Sequence, residues 1–413
     1  MNNAQGSLAF RWRATIFLAA AAAINFGDRA AFSVVLKPLR EQLNLTDATL
    51  GILSSLFLWS HALGSPIAGL LADRFSRSRL VVWSLFVWSG FILVTGASNG
   101  VIQLGFLRVG LGLSECLYFP AAFALMADYH GAATRGKAMS LLSAGAQFGI
   151  VAGGACAAYL AQHFGWRVGF YVLGGCGISL AAISGWFLPD APTSRAASAT
   201  VSTAEAFRYL LTVPSYFFIL AKQILADAGT WIFLAWLPLY LLETFDMKLG
   251  EAGFAGTFML QASLVIGIAL GGWFSDRVAA SDPSRRMAIL GFTCIIGAPF
   301  AIVFLLTPKF VLVATAVAFG SFFRGIGTAS ERPAVCDIIP PRYRSTALGI
   351  MNTFATSAGA LGVLVAGLLK KQFGLNTVFA FSSALNLLAG MLLLYSARRY
   401  NQRDIARARG DAA

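Results

Sequence analysis

Apolar runs of about 20 residues or more recur twelve times along this chain, near 14–37, 48–71, 80–98, 101–127, 136–160, 167–188, 213–242, 251–275, 287–307, 311–337, 345–369 and 376–397. A helix needs about 20 such residues to cross ~30 Å of hydrocarbon, and within lipid it must satisfy its backbone polar groups internally. The runs therefore predict an all-α integral membrane protein with twelve transmembrane helices. Composition agrees. Only 12% of the side chains are charged and the mean hydropathy is +0.71, whereas a soluble domain carries roughly 25% charged residues. A soluble enzyme, a disordered chain and a secreted disulfide scaffold are all excluded.

The net charge of +13 does not indicate nucleic acid, because the basic residues lie in short gaps between runs and form no continuous stripe. Their distribution indicates orientation instead. With both termini in the cytoplasm, nineteen of the 31 Lys and Arg residues fall in the cytoplasmic loops and tails and seven on the opposite side, as the positive-inside rule requires. The expected location is the plasma (inner) membrane. Five cysteines, without a C-x-x-C pair, are expected to be small buried hydrophobes. The polar N-terminus and the long first run predict no cleavable signal.

The chain also repeats. A polar stretch beginning at Pro189 divides the runs six and six: an N-terminal bundle (1–188), a cytoplasmic central loop (189–212) and a C-terminal bundle with a short basic tail (213–413). Gly69 and Asp73-Arg74 close span 2, and Gly272 and Asp276-Arg277 close span 8, 203 residues later. Asp128 and Arg135 match Asp337 and Arg344 at an offset of 209, which Phe164-Gly165 and Phe373-Gly374 share. Duplicated six-span units are how transporters place a site between two halves.

The run Gly69-x-x-x-Asp73-Arg74-x-x-Arg77-x-Arg79, with its second copy, resembles the loop signature of the major facilitator superfamily, with Ser76 where that family usually has glycine. The resemblance covers nearly the whole chain. It implies two pseudo-symmetric six-helix bundles, alternating access, and a cytoplasmic gate motif of Gly69, Asp73, Arg74, Arg77, Gly272, Asp276 and Arg277. Within the superfamily, Asn25-Phe26-Gly27-Asp28-Arg29, Arg108-x6-Glu115 and Gly145-Ala146-Gln147 are similar to the organic anion:cation symporters and to spinster-like exporters. Phe26 stands where the anion symporters often have Tyr. Span 5 lacks the proline of the drug-antiporter motif.

Nine charged residues lie inside the runs and clear of their end residues: Asp28, Arg29, Arg108, Glu115, Lys222, Asp227, Arg324, Glu331 and Arg332. Each costs about 2.5–3.5 kcal/mol near the bilayer centre even on insertion scales. At 1.5 Å per residue Asp28 sits about 21 Å from the cytoplasmic start of span 1, level with Arg108. Arg108, Gly112 and Glu115 share one helix face. Asp28 and Glu115 are the expected proton carriers, and Arg29 or Arg108 the partner of a substrate carboxylate. The alternative is a pair of salt bridges locking helices 1 and 4.

In the second half the 209 offset makes Arg324 the counterpart of Glu115 and a substrate contact facing it across the pseudo-two-fold. Trp231, the counterpart of Asp28, and Asp227, a partner for Arg324, complete the expected binding set with Gln147. Trp236 is a second candidate ligand cap. Asn352 and Thr356 stand at comparable heights. Glu331 and Arg332 are expected near the cytoplasmic end, and Lys222 is expected to snorkel to the interface. His61 is a packing histidine or a proton relay.

Three dispersed histidines and no nucleophile motif argue against an enzyme. The expectation is a proton-coupled symporter of a small organic anion (a carboxylate or sugar acid), working as a monomer in the lipid bilayer, without cofactor, metal or nucleic acid. Export of a lysolipid-like amphiphile and a non-transporting sensor stay open.

Overall fold

The computed structural model describes residues 8–130, 132–188, 203–306 and 309–410; within these, the side chains of 8, 9, 69, 70, 72–74, 127, 132, 133, 187 and 203 lie outside the described set. The central loop from 189 to 202, and the side chains of Gly69, Asp73 and Arg74, are thus outside it. The described elements are helical. In chain order they are α1 (Leu8–Val34), α2 (Leu36–Leu43), α3 (Asp47–Arg74), α4 (Arg77–Gly96), α5 (Val101–Glu115), α6 (Tyr118–Tyr129), α7 (Ala132–Phe164) and α8 (Trp166–Phe187). Then follow α9 (Thr203–Leu210), α10 (Pro214–Thr244), α11 (Leu249–Ala279), α12 (Arg285–Gly297), α13 (Val303–Leu306), α14 (Phe310–Ile338), α15 (Arg344–Arg399) and α16 (Asn401–Gly410).

Ten helical stretches are long and apolar enough to cross a membrane, and α1 with α2, bent by 53°, make an eleventh. The twelfth lies inside α15. Its 56 residues would run about 84 Å as one helix, far beyond a ~30 Å core, and the helix breaks at Gly374 (φ 73°, ψ 159°). Gly165, 209 residues earlier, holds φ 89° and ψ 151° between α7 and α8. Only glycine adopts this backbone cheaply. The Phe-Gly repeat is therefore the turn joining the last two spans of each half. Large apolar side chains such as Trp186, Phe106 and Ile102 stand exposed on the helices, a surface suited to lipid and not to water.

The chain forms two compact units, Met1–Ala196 with Leu234–Thr257, and Ala197–Phe233 with Phe258–Ala413. Compactness thus groups 234–257 with the first six spans, while the six-and-six division is one of sequence. Within the first unit Arg40 ties this segment down by bonding both Asp47 (3.0 Å) and Glu243 (2.8 Å). The Gly250 N–H donates to Gln162 Oε1 at 2.8 Å.

The first unit is held together most closely between α1 and α7. Gly145, Gly149 and Gly153 press on the backbones of Ala19, Ala23 and Gly27, where an added Cβ would collide with main-chain atoms. Small residues at this spacing are what lets two membrane helices meet backbone to backbone.

One device of helix-end charges is repeated in each unit. Arg77 pairs with Asp128 at 2.6 Å and Arg286 with Asp337 at 2.8 Å; both residues are displaced by 209. Arg135 Nε donates to His130 O and Arg344 Nε to Ile339 O, each bonding the C-cap carbonyl of the preceding helix. In the second unit Asp276 is held by Arg286 (2.9 Å), while Arg277 lies over the Trp273 ring. Arg286 was not singled out in the sequence. Gly272 faces the Ala329 methyl. Cys156 and Cys176 correct the expectation of uniformly buried thiols: both are exposed, and the cysteines are free.

Candidate functional site

The buried charges of the first unit gather where α1, α3 and α5 meet. Pro120 shapes this place. Lacking an N–H, it cannot bond the Cys116 carbonyl, and α5 accordingly ends at Glu115, with α6 restarting at Tyr118. Tyr118 is fully buried and its hydroxyl donates to the Leu18 carbonyl of α1, fixing the break against that helix.

Arg29 reaches across from α1. Its Nη2 and Nε both bond Glu115 Oε2, at 2.8 and 3.1 Å, and Nη2 also bonds Asn25 Oδ1, one turn earlier, at 3.0 Å. Arg108 behaves differently. Its Nε donates to the Leu53 carbonyl at 3.3 Å, and its guanidinium lies 4.1 Å from the Phe32 ring centre and 4.8 Å from that of Phe57. It forms no ion pair among the described residues. Phe57 also meets Arg29, at 4.9 Å, so one ring contacts both cations, a favourable arrangement where water is excluded.

Asp28 is 1% exposed and Glu115 0%. Neither Asp28 oxygen, nor Glu115 Oε1, accepts a hydrogen bond from the described residues. Glu115, Arg29 and Arg108 all act on Asp28 electrostatically. Such unpaired buried oxygens are costly.

The second unit builds its cluster between α10 and α14. Lys222 is buried and ion-paired with Glu331, which corrects the expectation that it snorkels. Lys222 Nζ also lies 3.4 Å from Gln223 Oε1, and Gln223 Nε2 donates to Asp227 Oδ2 at 3.1 Å. Arg324 donates to Thr230 Oγ1 at 2.7 Å and not to Asp227, although the two interact through space. Glu331 thus belongs to this interior cluster, while Arg332 is exposed.

The remaining candidates are more dispersed. The Trp231 indole packs against Gly359 of α15, filling the space a side chain would take. Trp236 is fully buried. Gln147 and Thr356 are half-buried and buried, and Asn352 is exposed. His61 lies beside Phe57 with a buried Nδ1 that has no partner among the described residues; no hydrogen bond there links it to Asp28 or Glu115.

Comparison with known proteins identifies this architecture. The family model of the Major Facilitator Superfamily matches residues 18–314 and again 265–412. The chain belongs to the Major Facilitator Superfamily. Among curated relatives, the probable galactarate/D-glucarate transporter GudP of Bacillus subtilis is 27% identical over 93% of this chain and 91% of its own length. An MFS-type efflux pump of Mycolicibacterium smegmatis is also 27% identical, over 87% and 84%. Among solved structures, a bacterial homolog of the human lysosomal transporter Spinster, inward-facing and occupied, superposes with a TM-score of 0.83 at 20% identity, covering 96% of this chain and 99% of that one. That likeness shows the fold. Superfamily membership makes this a multi-pass membrane transport protein and not an enzyme.

Several residues of the superfamily member's interior were missed in the sequence. Asn25 was legible, one helical turn before Arg29. Phe57, Phe32 and Thr230 were not, because their importance comes from which helices pack together.

Proposed function

We propose that this protein is a proton-coupled symporter of a small organic anion, a carboxylate or sugar acid, working by alternating access between its two six-helix halves (1–188 and 213–413). It acts as a monomer in the inner membrane with both termini in the cytoplasm, an orientation supported by the excess of cytoplasmic Lys and Arg. The observation that carries the reading is the unequal treatment of two buried arginines: Arg29 is neutralised by Glu115, while Arg108 has aromatic rings and a carbonyl but, among the described residues, no ion-pair partner.

The chemistry follows from charge balance. With a proton on Asp28, the quartet Asp28, Arg29, Arg108 and Glu115 carries one net positive charge, and Arg108 takes the substrate carboxylate through its planar fork of donors. When Asp28 loses the proton it becomes the anion nearest Arg108, the quartet is neutral, and the substrate is displaced. Glu115 shares the proton with Asp28 and holds Arg29 in place. Arg324, Asp227, Gln147 and Trp231 supply further substrate contacts. Asp73 and Arg74, with Gly69, Arg77, Gly272, Asp276 and Arg277, form the cytoplasmic gate. The names of relatives such as the galactarate/D-glucarate transporter support a sugar-acid substrate.

A second reading, export of a lysolipid-like amphiphile, is favoured by the rings around the quartet: Phe26 stacks edge-on with Phe119, which in turn meets Phe123. Proteoliposomes containing a pH-sensitive dye decide between them when challenged with galactarate, D-glucarate and a lysolipid. Proton influx with a sugar acid, lost in Asp28→Asn, is the expected result. Influx with neither acid, together with lysolipid flux, would replace this reading by the second.

A further inference from the structure

The superfamily fold puts a second charge quartet in the second unit, and its wiring differs from the first. Lys222 and Asp227 stand five residues apart on α10, about 7.5 Å along the helix, and Arg324 and Glu331 seven apart on α14, about 10 Å. Hydrogen bonds connect Glu331 to Lys222, Lys222 to Gln223, and Gln223 to Asp227. Two cations and two carboxylates make this cluster neutral as it stands. Cys294 of α12 is the other titratable neighbour of Lys222 and Glu331, and Arg324 acts on Asp227 from α14.

We propose that Asp227 is a second proton site, filled when the second unit accepts a carboxylate, so that a substrate with two carboxylates is bound together with two protons. This rests on the anion-symport reading above and extends it to the coupling number. Bringing a carboxylate to Arg324 would leave one uncompensated negative charge in a low-dielectric interior, where each such charge is expensive. One proton restores neutrality. Glu331 is the wrong place for it, because neutralising Glu331 would strand the buried Lys222 ammonium. Asp227 is the right place: its described donor is the neutral amide of Gln223, which bonds a carboxylic acid as well as a carboxylate, so protonation leaves no cation unpaired.

Trp231, one turn beyond Asp227 on the same face of α10, supplies a local reporter. The test is calorimetric binding of galactarate to the purified full-length protein in buffers of different ionisation enthalpy, which counts protons taken up on binding. Two protons in the wild type and one in both Asp227→Asn and Asp28→Asn support the proposal. One proton in the wild type, unchanged by Asp227→Asn, overturns it while leaving the anion-symport reading intact. No proton in the wild type overturns both. Should Asp227→Asn fail to bind, Asp227→Glu is expected to retain two protons, and the wild-type tryptophan emission is expected to shift with pH in a way that Trp231→Phe lacks. An identical pH response in Trp231→Phe, with fewer than two protons in Asp227→Glu, also contradicts the proposal.

Discussion

The helix ends and turns of the two units are near copies of one another, whereas their buried charge clusters are not. Arg77–Asp128 and Arg286–Asp337 are the same pair 209 residues apart. Arg135 and Arg344 bond equivalent C-cap carbonyls, and Gly165 and Gly374 make equivalent turns. In the interior, each unit holds two cations and two carboxylates, but three carboxyl oxygens of the first quartet have no donor among the described residues. In the second, Glu331 and Asp227 both accept hydrogen bonds. Both halves therefore repeat the same turns and the same charge clamps. The interiors diverge: the first quartet leaves carboxyl oxygens without donors among the described residues, while the second links its carboxylates by hydrogen bonds, Asp227 to the neutral amide of Gln223.

The contrast can be tested where it should matter most. The α1–α7 contact that positions Asp28 and Arg29 has no room for a larger residue, so Gly149→Leu is expected to prevent stable folding. Overpacking costs typically 1–3 kcal/mol in adaptable cores and more where the obstacle is backbone. Size-exclusion profiles and melting in detergent would show it; a monodisperse variant with wild-type melting would mean that the α1–α7 approach is not fixed.

The second quartet should respond as a structural pair where the first does not. Lys222→Met leaves Glu331 buried without its cation, an error worth about 3–5 kcal/mol in comparable sites. Adding Glu331→Gln should recover much of the lost melting temperature. Asp28→Asn, which removes no bonded partner, should leave the melting temperature within a few degrees of the wild type. Equal losses for Asp28→Asn and Lys222→Met would erase the distinction between the quartets.

The smallest effects belong to the repeated clamps. Arg77→Gln and Arg286→Gln each break a partly exposed ion pair, and such pairs are worth about 0–1 kcal/mol after solvent screening. Arg286 holds two carboxylates and Arg77, among the described contacts, one. The Arg286 variant should therefore melt lower, by a margin that narrows in high salt.

The twelve spans, the Phe-Gly turns and the first quartet were legible because membrane insertion penalises every charge and every unpaired backbone group, so exceptions stand out in sequence. Arg108 and Glu115 fall on one face by helix periodicity alone, and the 209 offset carries Asp128 onto Asp337. Other parts were not legible. Lys222 looked shallow enough to reach the interface, and only the packing of α14 beside α10 reveals Glu331 as its partner. The 209 offset that relates the loops also maps Arg77 onto Arg286, but the more conspicuous Asp-Arg copy, 203 residues on, is Asp276-Arg277. Phe57, which meets both arginines, carries no charge to mark it.

The account turns on Asp28 coupling proton and anion movement without being needed to bind the anion. That separation is measured by following labelled galactarate in one preparation of proteoliposomes in two ways: accumulation driven by a pH gradient, and exchange at equilibrium. For Asp28→Asn the account predicts that accumulation is abolished while exchange stays within a few-fold of the wild type. Accumulation at wild-type level, or loss of exchange in step with accumulation from protein of normal stability, would contradict it.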